Sequence, residues 1–161
     1  VFHSFINREY VIMNDDSKVI GTASSVWALI DSKMRMSVNL VNLFGPNLNQ
    51  VVNEKTNNLS IDKKRFKLAE SANHSSLIVK YSDIDINQHM NSIKYIEHAL
   101  DLYPSEFYFN HFLNRIEVQY VHEASLNDNL LINNKIDDSS IYVEYGKNSG
   151  ETVCKVRIYF S

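Results

Sequence analysis

Residues 81–100 read YSDIDINQHMNSIKYIEHAL, and the rest of the chain is best read outward from them. An apolar run from Leu77 to Tyr81 predicts a strand leading in, and Asp85, Asn87 and His89 then fall in a polar loop. Immediately after, Met90, Ile93, Ile96, Leu100 and Tyr103 recur at three- and four-residue spacing, which predicts a helix with one apolar face. Pro104 has no amide hydrogen to donate and marks the end of that helix. Three hydrogen-bonding side chains within five residues therefore sit beside a helix start. Unpaired backbone N–H groups and a partial positive charge at that end suit a developing oxyanion.

Downstream, Arg115 to His122 alternates, with Ile116, Val118 and Tyr120 on one face and Glu117, Gln119 and Val121 on the other. Further strands are expected at Leu130 to Ile136, Ile141 to Tyr145 and Thr152 to Phe160. Turns at Asn127-Asp128-Asn129, Asp137-Asp138 and Asn148-Ser149-Gly150 separate them. The order β-α-β-β-β-β predicts an α+β fold in which an antiparallel sheet wraps around one long helix.

Upstream, residues 1–31 read as two strands. The first carries Phe2, Phe5, Val11 and Ile12, a turn follows at Asn14-Asp15-Asp16-Ser17, and the second runs from Val19 to Asp31. Residues 32–75 lose this regularity; short helices are expected before Gly45-Pro46 and around Leu48 to Val52. The expected organisation is a partial N-terminal unit over 1–45, a linker over 46–75 and a complete C-terminal unit over 76–161. Two strands alone would expose edges and a face, so further N-terminal sequence or a compensating partner is expected.

The 161 residues are 44% hydrophobic and 22% charged, with a net charge of −3, which argues against a general nucleic-acid footprint. No apolar run approaches the roughly 20 residues of a membrane helix, and no signal peptide is visible. The single cysteine, Cys154, excludes an internal disulfide and a cysteine metal cage, so a reducing, cytoplasmic setting is the default. His3, His74, His98, His111 and His122 show no metal-ligand spacing, and neither a metal nor an organic cofactor is expected.

The run Ser82 to Ile96 closely resembles the signature of the acyl-acyl-carrier-protein thioesterases, the double-hotdog enzymes of plants and bacteria. Residues 116–123, IEVQYVHE, look like the family's second block, and residues 23–31, ASSVWALID, are similar to the strand closing its first hotdog. The resemblance spans nearly the whole chain. It implies a tandem hotdog whose N-terminal unit is incomplete here, with the natural protein beginning well before Val1. It also places the family's catalytic Asp, Asn and His on Asp85, Asn87 and His89, and its glutamate on Glu123. Plant members carry a cysteine after that glutamate. This chain has Ala124, which leaves a carboxylate-and-water route.

The implied activity is hydrolysis of fatty acyl thioesters borne on the phosphopantetheine arm of an acyl carrier protein. Glu123 is expected to activate water, Asn87 to hold water or the carbonyl, His89 to orient water or protonate the departing thiolate, and Asp85 to orient its neighbours. Whether Asp85 or Glu123 is the base stays open. Backbone N–H groups around His89, Met90 and Asn91 are expected to face the substrate. The acyl tunnel is expected between helix and sheet. Carrier proteins are acidic, so Lys63, Lys64, Arg65 and Lys67 form a candidate docking patch, although such a cluster is ordinarily a solvated face.

Each residue also has a plainer reading. Asp and Asn favour loops and helix caps for local reasons, and a lone strand-end glutamate is usually solvated. It is the set of four that carries the functional reading. The alternatives are a hotdog acyl-CoA thioesterase, a non-catalytic acyl- or carrier-binding module and, less favoured, a hotdog dehydratase. A homodimer is a possible assembly, because hotdog sheets pair edge to edge.

Overall fold

The alternation in the C-terminal half becomes a five-stranded antiparallel sheet in the computed structural model of the chain. The structure describes residues 4–34, 36–47 and 73–161, and the chain divides into two compact units, residues 1–65 and 66–161. The expected helix around Leu48 to Val52, the linker beyond residue 47 up to residue 72, and Lys63, Lys64, Arg65 and Lys67 lie outside the described residues.

In the first unit, β1 (Phe5–Met13) and β2 (Val19–Ala28) form an antiparallel hairpin. Its turn is closed by the Asn14 side chain, whose oxygen accepts from the Lys18 amide at 2.8 Å. A two-stranded sheet covers little of itself, and Ile20 and Trp27 stay more than half exposed. The helix expected before Gly45 is α1 (Leu40–Phe44), capped at its start by Asn39 and ended by Gly45 in the left-handed region at φ 50°.

The second unit runs β3 (Asn73–Ile78), α2 (Ser92–Leu100), α3 (Ser105–Asn110), β4 (Leu113–Tyr120), β5 (Asn129–Ile136), β6 (Ser140–Lys147) and β7 (Thr152–Phe160). Strand order is β3-β5-β6-β7-β4. In β6 and β7, Ile141, Val143 and Tyr145 lie opposite Ile158, Val156 and Cys154, and all six are buried. The residues between them (Tyr142, Glu144, Lys155, Arg157 and Tyr159) point to the other face and are only half-buried. Fully burying a Val, Ile or Leu stabilises by about 1.5–3 kcal/mol, so this central ladder dominates the unit.

Helix α2 lays Tyr95 and Ala99 on that inner face. The Tyr145 hydroxyl donates to the Tyr95 carbonyl at 2.8 Å, and the two rings meet edge to face at 5.3 Å. Past the helix end, the Tyr103 hydroxyl donates to the buried Asn134 side chain on β5 at 3.3 Å.

Three local expectations are corrected. The strand predicted at Leu77 to Tyr81 begins earlier, at Asn73, and stops at Ile78; an edge strand is held by its ladder to β5 and needs few apolar side chains. Tyr81 instead opens a 3-10 turn, Tyr81–Asp83, and is exposed. The single helix expected up to Pro104 is α2 alone, ending at Leu100, and Pro104 precedes the first residue of a further helix, α3, where its missing N–H costs nothing.

Candidate active site

Between the 3-10 turn and α2 the chain folds back on itself as a tight hairpin. Ile84 and Met90 bridge, and the Asp85 amide donates to the His89 carbonyl at 2.9 Å. Inside it, the Gln88 amide donates to the Asp85 carbonyl at 3.0 Å, and Gln88 takes a left-handed φ of 65°. That is the usual chemistry of a three-residue hairpin loop ending in a left-handed residue. The Asp85 carboxylate accepts from the Asn87 amide at 2.8 Å and lies 3.5 Å from its side-chain nitrogen. Asp85 thus fixes the turn and faces the Asn87 carboxamide. Asn87 is exposed at the tip, whereas Asp85 is partly buried.

Glu123 reaches the same loop from the other side of the sequence. Ahead of it, the His122 amide donates to the Val153 carbonyl at 3.0 Å. Behind it, buried Ala124 accepts from the Met90 amide at 2.8 Å, and Ser125 bridges His89. Pinned at both neighbours, the Glu123 carboxylate stands 3.3 Å from His89 Nε2, with the two side chains 49% and 34% exposed. Water can therefore reach the pair. The structure brings Asp85 to Asn87 and His89 to Glu123, beside the start of α2.

Met90 and Asn91 are both engaged within the protein. The Met90 side chain is buried in the core, and its N–H is taken by Ala124. The Asn91 N–H donates to the Asp83 carbonyl at 2.8 Å, while its side-chain oxygen caps α2 by accepting from Ile93 at 3.0 Å. Both of these amides, expected to face the substrate, are thus already bonded within the protein.

Two positioning contacts were not read from the sequence. The Tyr120 hydroxyl donates to the Ser92 carbonyl at 3.0 Å, tying the end of β4 to the first turn of α2. Asp83 is 4% exposed; its carboxylate accepts from the Lys80 amide at 2.8 Å and meets His98 Nε2 at 3.1 Å. Burial works to raise the Asp83 pKa, but the hydrogen bonds from the Lys80 amide and His98, with the charges of His98 and Lys94, prevail, and it lies below the ordinary value. An acidic residue five positions past the end of β3 was the available signal.

Tyr95, Ala99, Tyr145 and Cys154 are all buried in the core where α2 packs on the sheet. A recess of about 890 Å³ lies past the far end of α2, lined by Leu100, Tyr103, Tyr108, Phe109 and Phe112 among others. Among the described residues no cluster of His, Cys, Asp and Glu side chains is arranged to hold a metal ion. Cys154 is buried in the core, and burial pushes its thiol pKa up.

Comparison with known proteins adds to this geometry. Residues 66–161 match the family model of the acyl-ACP thioesterase C-terminal domain. The chloroplastic oleoyl-acyl carrier protein thioesterase of Coriandrum sativum is 30% identical over 131 residues, 75% of this chain and 35% of that protein. The chloroplastic palmitoyl-acyl carrier protein thioesterase of Gossypium hirsutum is 27% identical over 161 residues, 93% of this chain and 37% of its own length. The chain thus spans little more than a third of these relatives. A crystal structure of an acyl-ACP thioesterase from Bacteroides thetaiotaomicron superposes with a TM-score of 0.84 at 34% identity, covering 100% of this chain and 65% of that one. The 12:0-ACP thioesterase of Umbellularia californica, at 18% identity, shares the fold, with a TM-score of 0.83 over 100% of this chain and 64% of its own. A sheet wrapped on a helix, a motif loop at the helix start and a family match over 66–161 agree: this chain has a hotdog-like α+β fold and belongs to the acyl-ACP thioesterase family.

Proposed function

We propose that the chain hydrolyses fatty acyl thioesters carried on the phosphopantetheine arm of an acyl carrier protein, releasing free fatty acid and the carrier thiol. The observation that carries the reading is the 3.3 Å pairing of Glu123 with His89 on the loop that also holds Asp85 and Asn87. Glu123 takes a proton from water, and the hydroxide adds to the thioester carbonyl carbon. The Asn87 carboxamide, oriented by Asp85, donates to the oxygen on which charge develops, with the α2 dipole adding to the field. Collapse breaks the C–S bond, and the proton taken from water goes to the departing sulfur by way of Glu123 and His89. Water thus supplies OH to the acyl group and H to the thiol.

In this reading the described C-terminal unit is one hotdog of a tandem pair, and the β1–β2 hairpin belongs to the other. Lys63, Lys64, Arg65 and Lys67 serve as the docking patch for the acidic carrier, and the two hotdogs make pairing internal, with a homodimer as the other arrangement. The test is thiol release by the full chain from medium- and long-chain acyl carrier proteins, beside the matched CoA thioesters. Turnover on the carrier series with a chain-length optimum supports the reading. Equal or faster turnover on CoA refutes the carrier assignment, and acyl binding without any turnover makes the chain a binding module.

A further inference from the structure

We infer that Asp83 and His98 form a clamp that positions the motif loop, by fixing both its neck and the direction of the helix that follows it. The loop residues 84–90 lie between Asp83 and Asn91, and these two close the neck through the bond from the Asn91 amide to the Asp83 carbonyl, 2.8 Å. That bond, like the others within the loop, does not set the direction of α2. The Asp83 carboxylate adds two further points, the Lys80 amide on the strand side at 2.8 Å and His98 Nε2 at 3.1 Å.

His98 lies seven residues beyond Asn91, which at 1.5 Å per residue is about 10 Å along α2. A second attachment that far from the first holds the helix axis against the loop, where a cap at Asn91 alone fixes only its origin. Asp83 is among the few polar side chains buried in the described residues, and a buried carboxylate kept only for solubility would be costly. Lys94 acts on Asp83 from one turn before His98, is paired with Glu97 at 2.6 Å, and also feels Asp101. The clamp touches no reacting atom in the proposed mechanism, so Asp83 and His98 are positioning residues.

The effect on turnover rests on the thioesterase reading, whereas the effect on loop order does not. The test compares His98→Ala and His98→Gln with wild type in the full chain, reading amide hydrogen exchange and, in parallel, kcat and KM for an acyl-carrier thioester. In His98→Ala, protection of the Gln88 and Asn91 amides is expected to fall about tenfold while the β6–β7 ladder keeps wild-type protection. kcat is expected to fall about tenfold with KM within about twofold, and His98→Gln, which retains a donor, to recover most of both. Loop amides that exchange as in wild type overturn the clamp whatever the turnover. Protection lost evenly across the ladder also overturns it, because His98 would then serve the fold and not the loop. A responsive loop in a protein that turns over no thioester upholds the clamp and removes the thioesterase reading instead.

Discussion

Glu123→Gln, His89→Ala and their combination separate catalysis from stability at this site, because the structure sets very different magnitudes for the two. The pair is 3.3 Å apart, but its side chains are 49% and 34% exposed. Exposed ion pairs of this kind contribute about 0.2–1 kcal/mol, so neither substitution should move the unfolding midpoint by more than a few degrees. Loss of a general base, in contrast, costs about 10²–10⁴ in rate, or roughly 3–5.5 kcal/mol of barrier. Turnover of Glu123→Gln should therefore fall at least about a hundredfold in a protein of nearly unchanged stability. Both side chains lie on one proton path, so the double variant should be little worse than the poorer single one. The assay is thiol release at saturating acyl-carrier thioester, with thermal unfolding of each variant alongside. Turnover of Glu123→Gln within about threefold of wild type would refute the base assignment, and strictly additive losses would refute the shared path.

Three further outcomes follow from the packing. Tyr145→Phe keeps the edge-to-face contact with Tyr95 but deletes a buried 2.8 Å hydrogen bond, so it should cost about 1 kcal/mol in denaturant unfolding; a neutral result would mean the rings alone seat α2. Asp83 has a folded pKa below its ordinary value, so the stability it confers is complete above about pH 4 and is lost as pH falls through the lower folded value. The stability gap between wild type and Asp83→Asn should accordingly shrink below about pH 4 in urea titrations, and a gap constant down to about pH 2 would contradict the assigned contacts. Cys154 is fully buried with its thiol pKa pushed up, so its modification by a thiol reagent at neutral pH should proceed only as fast as the chain opens; labelling at the rate of a free thiol would show the β6–β7 core to be loose.

Much of this fold was legible because its physics is periodic. Val156, Ile158 and Phe160 alternate with Lys155, Arg157 and Tyr159, and the strand from Thr152 to Phe160 lies where the pattern puts it. The helix face was harder to read: the stripe through Ile93, Ile96, Leu100 and Tyr103 is not the one the fold buries, since α2 stops at Leu100, buries Tyr95 and Ala99 and leaves Ile93 exposed. Composition does not register that stop, and Pro104 marks the entrance to α3 as readily as the exit from α2. The start of β3 was obscured for another reason: Asn73, His74, Ser75 and Ser76 are strand residues only because β5 offers them a ladder. In the site, the short-range relation of Asp85 to Asn87 follows from sequence proximity. The meeting of His89 with Glu123 depends on the Ala124–Met90 bond between segments more than thirty residues apart, which only the motif resemblance anticipated. Asp83 escaped notice because it reads as one more acidic loop residue until its burial is known.

Gln88 has a bearing on how the loop can vary. Its φ of 65° lies in the region that glycine enters freely, asparagine and aspartate tolerate and β-branched residues resist. A library of substitutions at this position would sort by backbone preference and hardly at all by polarity or charge. Gly, Asn and Asp would survive, while Val, Ile and Thr would be lost although they touch none of the reacting groups. A site one residue from His89 would then look chemically indifferent and conformationally strict, and redesign of the loop has its freedom at the exposed Ile86 tip, not there.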